Sequence, residues 1–207
     1  MDDDSKQIKV ILVGESGVGK TCIIHRYIKD RYTDDSLITI SNSLYEKTIQ
    51  LNDKDNSKVT FDLWDTCGQE KYRDLSKLFF KNSQVVIFVY DYTNKQSFNE
   101  IKTYWYKIVK ENIEENNIVL ALVANKCDLF DKEEVSEEEG LNFAKEINAS
   151  FKLISAYSGL GIEELFKNIG MRCLNLEENE NLRGSIKLDK NKNKKYKKKL
   201  YKCCYFK

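Results

Sequence analysis

Gly14-Glu15-Ser16-Gly17-Val18-Gly19-Lys20-Thr21 fits G-x-x-x-x-G-K-[ST], a loop whose backbone N–H groups ring a phosphate chain. The glycines let the main chain approach the β-phosphate, and the helix that follows adds the positive end of its dipole. Lys20 supplies a point charge to the β- and γ-phosphates, and the Thr21 hydroxyl can ligate Mg2+. Further along, Asn125-Lys126-Cys127-Asp128 has the donors and acceptors to read a guanine edge. The Asp128 carboxylate can accept from the guanine N1–H and 2-amino group together. Adenine has neither donor and would leave a buried carboxylate unpaired, at a cost of several kcal/mol. Lys126 can lay its stem over the ring, and Asn125 can tie this loop to the phosphate loop. One loop for phosphate and another for the base imply a guanine nucleotide.

Asp65-Thr66-Cys67-Gly68-Gln69 closes an extended, β-rich run. Asp65 is suited to holding Mg2+ through water, and the Gly68 N–H to bonding a γ-phosphate oxygen. The Gln69 amide both donates and accepts, so it can orient an attacking water. Taken singly, D-x-x-G is also a capped turn and N-K-x-D an ordinary one. Their order behind the phosphate loop is what gives them meaning.

Such motifs need strands to carry them. Lys9–Val13 is a short apolar run ending in glycine, as a buried parallel strand does, and Thr21–Lys29 then reads as a helix. Leu44–Leu51 and Lys58–Trp64 flank the polar cluster 52–56 and look like a hairpin. Val85–Tyr90, Ile118–Val123 and Phe151–Ile154 are further strands, with helical stretches at roughly 95–112, 136–147 and 161–176. Strands alternating with helices imply a mostly parallel sheet covered on both faces, with its ligand at the carboxyl ends of the strands. The chain has no proline, so its hinges rely on glycine and polar loops.

With 207 residues, 41% hydrophobic and 32% charged, the chain has the composition of one soluble globular domain with a tail. It has no apolar run long enough to span a bilayer, and the acidic opening Met1–Lys6 fits neither a signal peptide nor a myristoylation site. Six cysteines without metal or disulfide spacing suit a reducing compartment. The net charge of +1 conceals an asymmetry: residues 183–207 hold eleven Lys/Arg against one acid, which makes them +10 and the rest −9. Parts so different in charge meet different partners.

Over residues 7–176 the motif order resembles the Ras superfamily of small GTPases, including Trp64-Asp65-Thr66-Cys67-Gly68-Gln69-Glu70, where most relatives have Ala for Cys67. The resemblance implies a P-loop NTPase G domain: an α/β fold with a six-stranded, mostly parallel sheet, one antiparallel edge strand and helices on both faces. It implies slow hydrolysis of GTP to GDP and phosphate, stimulated by a GTPase-activating protein. Glu15, Ser16, Gly17, Val18, Gly19, Lys20, Thr21, Cys22 and Gly68 would contact phosphate, and Lys20, Thr39 and Gln69 would serve catalysis. Thr39, eighteen residues after Thr21, would join Thr21 and Asp65 in holding Mg2+. Tyr32 takes the position of an aromatic residue packed edge-on against guanine. Ser155-Ala156-Tyr157 stands where the family has Ser-Ala-Lys, with the Ala156 N–H meeting the guanine O6; Tyr157 replaces the lysine's packing but not its charge. Ser41 and Asn42 after Ile40 also depart from the usual switch I.

The adjacent Cys203 and Cys204 resemble the double-prenylation signal of the Rab family, while Cys204-Tyr205-Phe206-Lys207 also has CaaX spacing with lysine in the final place. Lipid combined with a polybasic stretch anchors a protein stably. The expected organisation is a disordered acidic segment over 1–6, a G domain over 7–176 and a flexible lysine-rich tail over 177–207. A Rab-like traffic regulator on the cytoplasmic face of an intracellular membrane, cycling with cytosol, is the leading expectation. Its partners would be an exchange factor, an activating protein, effectors, a prenylation escort and a GDP-dissociation inhibitor. It would be a monomer that binds no nucleic acid. A Ras-like CaaX signalling GTPase, a GTP-binding module without hydrolysis, and a P-loop ATPase or kinase are the other readings. Asn125–Asp128 argues against the last, and a purely basic arm is the other reading of the tail.

Overall fold

The computed structural model describes residues 5–32, 43–52, 57–65, 80–113 and 118–174. Strand β1 is Lys6–Val13, followed by α1 at Lys20–Lys29. Strands β2 (Ser43–Asn52) and β3 (Ser57–Asp65) pair antiparallel, as the flanking of a polar cluster suggested. Then come β4 (Val85–Asp91), β5 (Val119–Asn125), α4 (Glu137–Glu146), β6 (Ser150–Leu153) and α5 (Ile162–Cys173). Between β4 and β5 lie α2 (Lys95–Glu100), a π-helical turn at Ile101–Trp105 and α3 (Tyr106–Asn112). The sheet order is β2-β3-β1-β4-β5-β6, parallel throughout except for the β2–β3 pair.

Alternation along the strands builds two cores. Ile8, Val10 and Leu12 face α1 and α5, where Ile23, Tyr27, Leu165 and Phe166 cover them. Ile11 and Val13, with Val86, Phe88 and Tyr90 of β4, face the helical segment 95–112 and α4 through Phe98, Ile101, Trp105 and Phe143. All seven residues of β4 are buried, so its continuous apolar run reflects cover on both faces.

Three differences from the sequence reading have physical causes. β1 begins at Lys6 rather than Lys9, because the ladder with β3 extends to Lys6–Val59 through residues whose polar side chains reach water. β4 and β5 each run on to a polar end, Asp91 and Asn125, which are ladder partners and so stand side by side. The helical stretch 95–112 is interrupted where the Tyr106 N–H reaches back to Ile101 O, a π turn that neither glycine nor proline marks. Among the described residues, no helix is long and apolar enough to cross a membrane.

Candidate functional site

The carboxyl ends of β1, β4, β5 and β6 supply the loops that converge here, beside Asp65 at the end of β3. Gly14 leaves β1 so close to β4 that a Cβ would stand 2.1 Å from Val89 O; only glycine passes. Gly19, at φ 95°, opens α1 without a side-chain cap, and no acid occupies the first turn. The positive end of the helix dipole thus meets the glycine loop, an arrangement that suits an anion. A Cβ at Gly19 would lie 2.4 Å from Asn125 Nδ2, so the two loops interlock.

Lys20 is 5% exposed and donates through Nζ to Gly14 O at 2.8 Å and Glu15 O at 2.9 Å. Its ammonium is held across the loop by backbone dipoles. Ser16 and Gly17 are exposed, Glu15 and Cys22 half-buried, and Val18 buried beneath them. The Ser16 N–H donates to Glu15 Oε1 at 3.3 Å.

The Thr21 hydroxyl donates to Asp65 Oδ2 at 2.8 Å, bringing the end of β3 against the start of α1. Burial pushes the Asp65 carboxyl above its ordinary range, opposed by the Thr21 hydrogen bond and the charges of Lys20 and His25. Its Oδ1 is buried without a hydrogen-bond partner. Among the described residues, no three His, Cys, Asp or Glu cluster as metal ligands. A hydroxyl beside a half-satisfied carboxylate nevertheless fits a hard cation whose remaining ligands are water and phosphate, which is how Mg2+ is usually held.

Asn125 is 2% exposed and joins three loops. Its Nδ2 donates to Val18 O at 2.8 Å, the tie to the phosphate loop that the sequence suggested, and its main-chain O accepts from Tyr92 N at 2.9 Å. Its Oδ1 accepts from the Ala156 N–H at 3.0 Å. The sequence reading gives this N–H to the guanine O6; here it is held by the Asn125 amide.

Lys126 turns the chain at φ 66°, and its Nζ lies 2.6 Å from Asp91 Oδ2. Asp91 Oδ1 in turn accepts from the Thr93 N–H at 2.8 Å and the Thr93 hydroxyl at 2.7 Å, which fixes the carboxylate. The Cys127 N–H donates to Ile154 O at 3.2 Å, bracing this loop on the one after β6. Asp128 Oδ1 is buried without a hydrogen-bond partner. Ser155 is fully buried, its Oγ accepting from the Ser158 N–H at 3.0 Å. The rings of Tyr32 and Tyr157 meet edge to face, 5.2 Å apart at 81°.

Lys20, Thr21 and Asp65 are therefore gathered at one point, and Asn125, Lys126, Asp128, Ser155, Ala156, Tyr157 and Tyr32 belong to the neighbouring loops. Thr39, Gly68, Gln69, Cys203 and Cys204 lie outside the described residues. Two contributors escaped the sequence reading. Asp91 carries a signal, a polar end on an apolar strand neighbouring the base loop. Arg26, which bonds the carbonyls of residues 156 and 157, carries none.

Sheet order, the single antiparallel edge strand and the loops at the carboxyl end define a P-loop G domain. Residues 9–175 match the Ras family. The chain is 37% identical to human Ras-related protein Rab-31 over 186 residues, covering 89% of this chain and 93% of that one. It is 33% identical to bovine Rab-8B, over 90% of this chain and 91% of the other. Against the GTP-binding protein ypt2 of Schizosaccharomyces pombe it is 34% identical over 77% of each. The chain belongs to the Ras family and is a Rab-like small GTPase, which binds GTP and GDP and hydrolyses GTP.

Proposed function

We propose that this GTPase is a membrane-attached switch of vesicle traffic whose phosphate and base loops act as the sequence suggests. Lys20 and the N–H groups of 15–22 hold the β- and γ-phosphates, and the bare first turn of α1 supports that role. Thr21, with Asp65 through water and Thr39, would hold Mg2+, which when bound would neutralise charge developing on the phosphates. Gln69 orients the attacking water, and the Gly68 N–H meets the γ-phosphate. Little covalent chemistry falls to the protein, since positioning and charge stabilisation dominate phosphoryl transfer. Contacts from Thr39 and Gly68 order both switch segments in the GTP state, and effectors respond to that difference. An exchange factor and an activating protein set its timing. Prenyl groups on Cys203 and Cys204, with the lysine-rich tail, tie it to an anionic leaflet, and an escort and a GDP-dissociation inhibitor carry it through cytosol.

The observation that carries the base assignment is Asp128 Oδ1, a buried acceptor without a partner in a loop braced to the phosphate loop through Asn125. Guanine offers two donors, its N1–H and 2-amino group, to this carboxylate. Asp128→Asn should move preference from guanine towards xanthine nucleotides, because the amide matches a carbonyl. Competition between GDP and XDP for the purified variant reads this, and an unaltered guanine preference would remove the assignment.

A further inference from the structure

We propose that Arg26 is a positioning residue that staples the base loop to the end of α1 and thereby sets how long a guanine nucleotide stays bound. Arg26 lies on α1 away from the phosphate loop, yet its side chain is only 15% exposed. Nε donates to Ala156 O at 2.9 Å and Nη2 to Tyr157 O at 2.6 Å. Nη1 donates to Asp30 O at 3.0 Å and Asp30 Oδ1 at 3.3 Å. A guanidinium has the planar, fixed fork for this; a lysine ammonium could reach only part of it.

What those partners are gives the staple its meaning. Ala156 and Tyr157 follow the last base-loop serine, and the Ala156 N–H is already bonded to Asn125. The peptide at 156 is thus pinned on its N–H side by the base-reading loop and on its carbonyl side by α1. Asp30 caps α1 in the left-handed conformation, φ 47°, two residues before Tyr32. One side chain therefore fixes the backbone supports of both tyrosines, whose rings meet edge to face although Tyr157 is 63% exposed. An edge-to-face pair contributes beyond its buried area. The staple thus acts by holding the backbone of the base loop, not by reading the base.

The inference rests on the guanine reading of this site. The experiment is release of fluorescent GDP from the full-length chain, chased with excess GDP, beside single-turnover hydrolysis of preloaded GTP. Arg26→Ala should speed release about tenfold or more, the effect of losing hydrogen bonds to a charged group. Arg26→Lys should fall between, and release should change by a larger factor than hydrolysis does. Tyr157→Ala should speed release too, and Arg26→Ala/Tyr157→Ala by less than the product of the single effects, because both act through one loop. Should Arg26→Ala not fold, Arg26→Lys carries the test, speeding release by a smaller factor. A folded Arg26→Ala or Arg26→Lys protein that releases GDP at the wild-type rate overturns the proposal, as do multiplicative effects in the cycle with Tyr157→Ala. Wild-type protein that binds no GDP overturns the guanine reading itself, which separates the two failures.

Discussion

Replacing Asn125 with alanine removes both atoms that hold the phosphate loop to the base loops. Val18 O loses its donor at 2.8 Å and the Ala156 N–H its acceptor at 3.0 Å, in a place only 2% exposed. Each buried backbone group left unpaired costs about 1–3 kcal/mol, so the two together cost about 2–6 kcal/mol before relaxation. A domain of this kind has about 5–15 kcal/mol to lose. Local shifts and entering water reduce the cost, which sets the expectation at about 3 kcal/mol. Urea unfolding of wild type and variant at one fixed GDP concentration measures it, with release of fluorescent GDP followed alongside. Asn125→Asp sharpens the comparison: it keeps an acceptor for the Ala156 N–H but turns an oxygen towards Val18 O. It should be no more stable than Asn125→Ala. An alanine variant within about 0.5 kcal/mol of wild type, the range of an ordinary surface change, would refute the reasoning.

Thr21→Asn should weaken Mg2+-GTP binding more than GDP binding, because the hydroxyl that faces Asp65 is lost; equal losses for both nucleotides, read by calorimetry, would show that Thr21 is not a metal ligand. Burial pushes the Cys173 thiol up to about 11, with Lys6 and Arg172 acting the other way. A folded value above the unfolded one means stability that is full below the ordinary thiol range and lost as pH rises towards 11, so the stability difference between wild type and Cys173→Ser should decline over that window in urea unfolding. Cys203→Ser with Cys204→Ser should turn the chain cytosolic on fractionation of a eukaryotic host, and continued membrane recovery would assign anchoring to the lysines or to a partner.

The strands were readable wherever burial makes a continuous apolar run, as in Val85–Tyr90. They were underestimated where the ladder continues through residues chosen for water or for the site, as at Lys6 and Asn125. The phosphate and base motifs are local in sequence, so their chemistry could be read directly from spacing. The Asn125–Ala156 bond, the Asp91–Lys126 pair and the Arg26 contacts to residues 156 and 157 could not. Each joins residues 31 to 131 positions apart, and their donors and acceptors include main-chain atoms that sequence does not distinguish. The π turn at Ile101–Trp105 was equally hidden, because neither glycine nor proline marks it.

The sheet order has a consequence for how the protein is made. Strands β1 and β3, with the phosphate loop and Asp65, are synthesised by residue 65, while the loop carrying Ser155–Tyr157 emerges much later. At about 5–20 residues per second, a ribosome needs about 5–18 s to cover that interval. A nascent chain therefore carries the parts that suit any nucleoside polyphosphate before it carries the parts that choose guanine. The parts that choose guanine come with the loops after β5 and β6, at the far edge of the sheet.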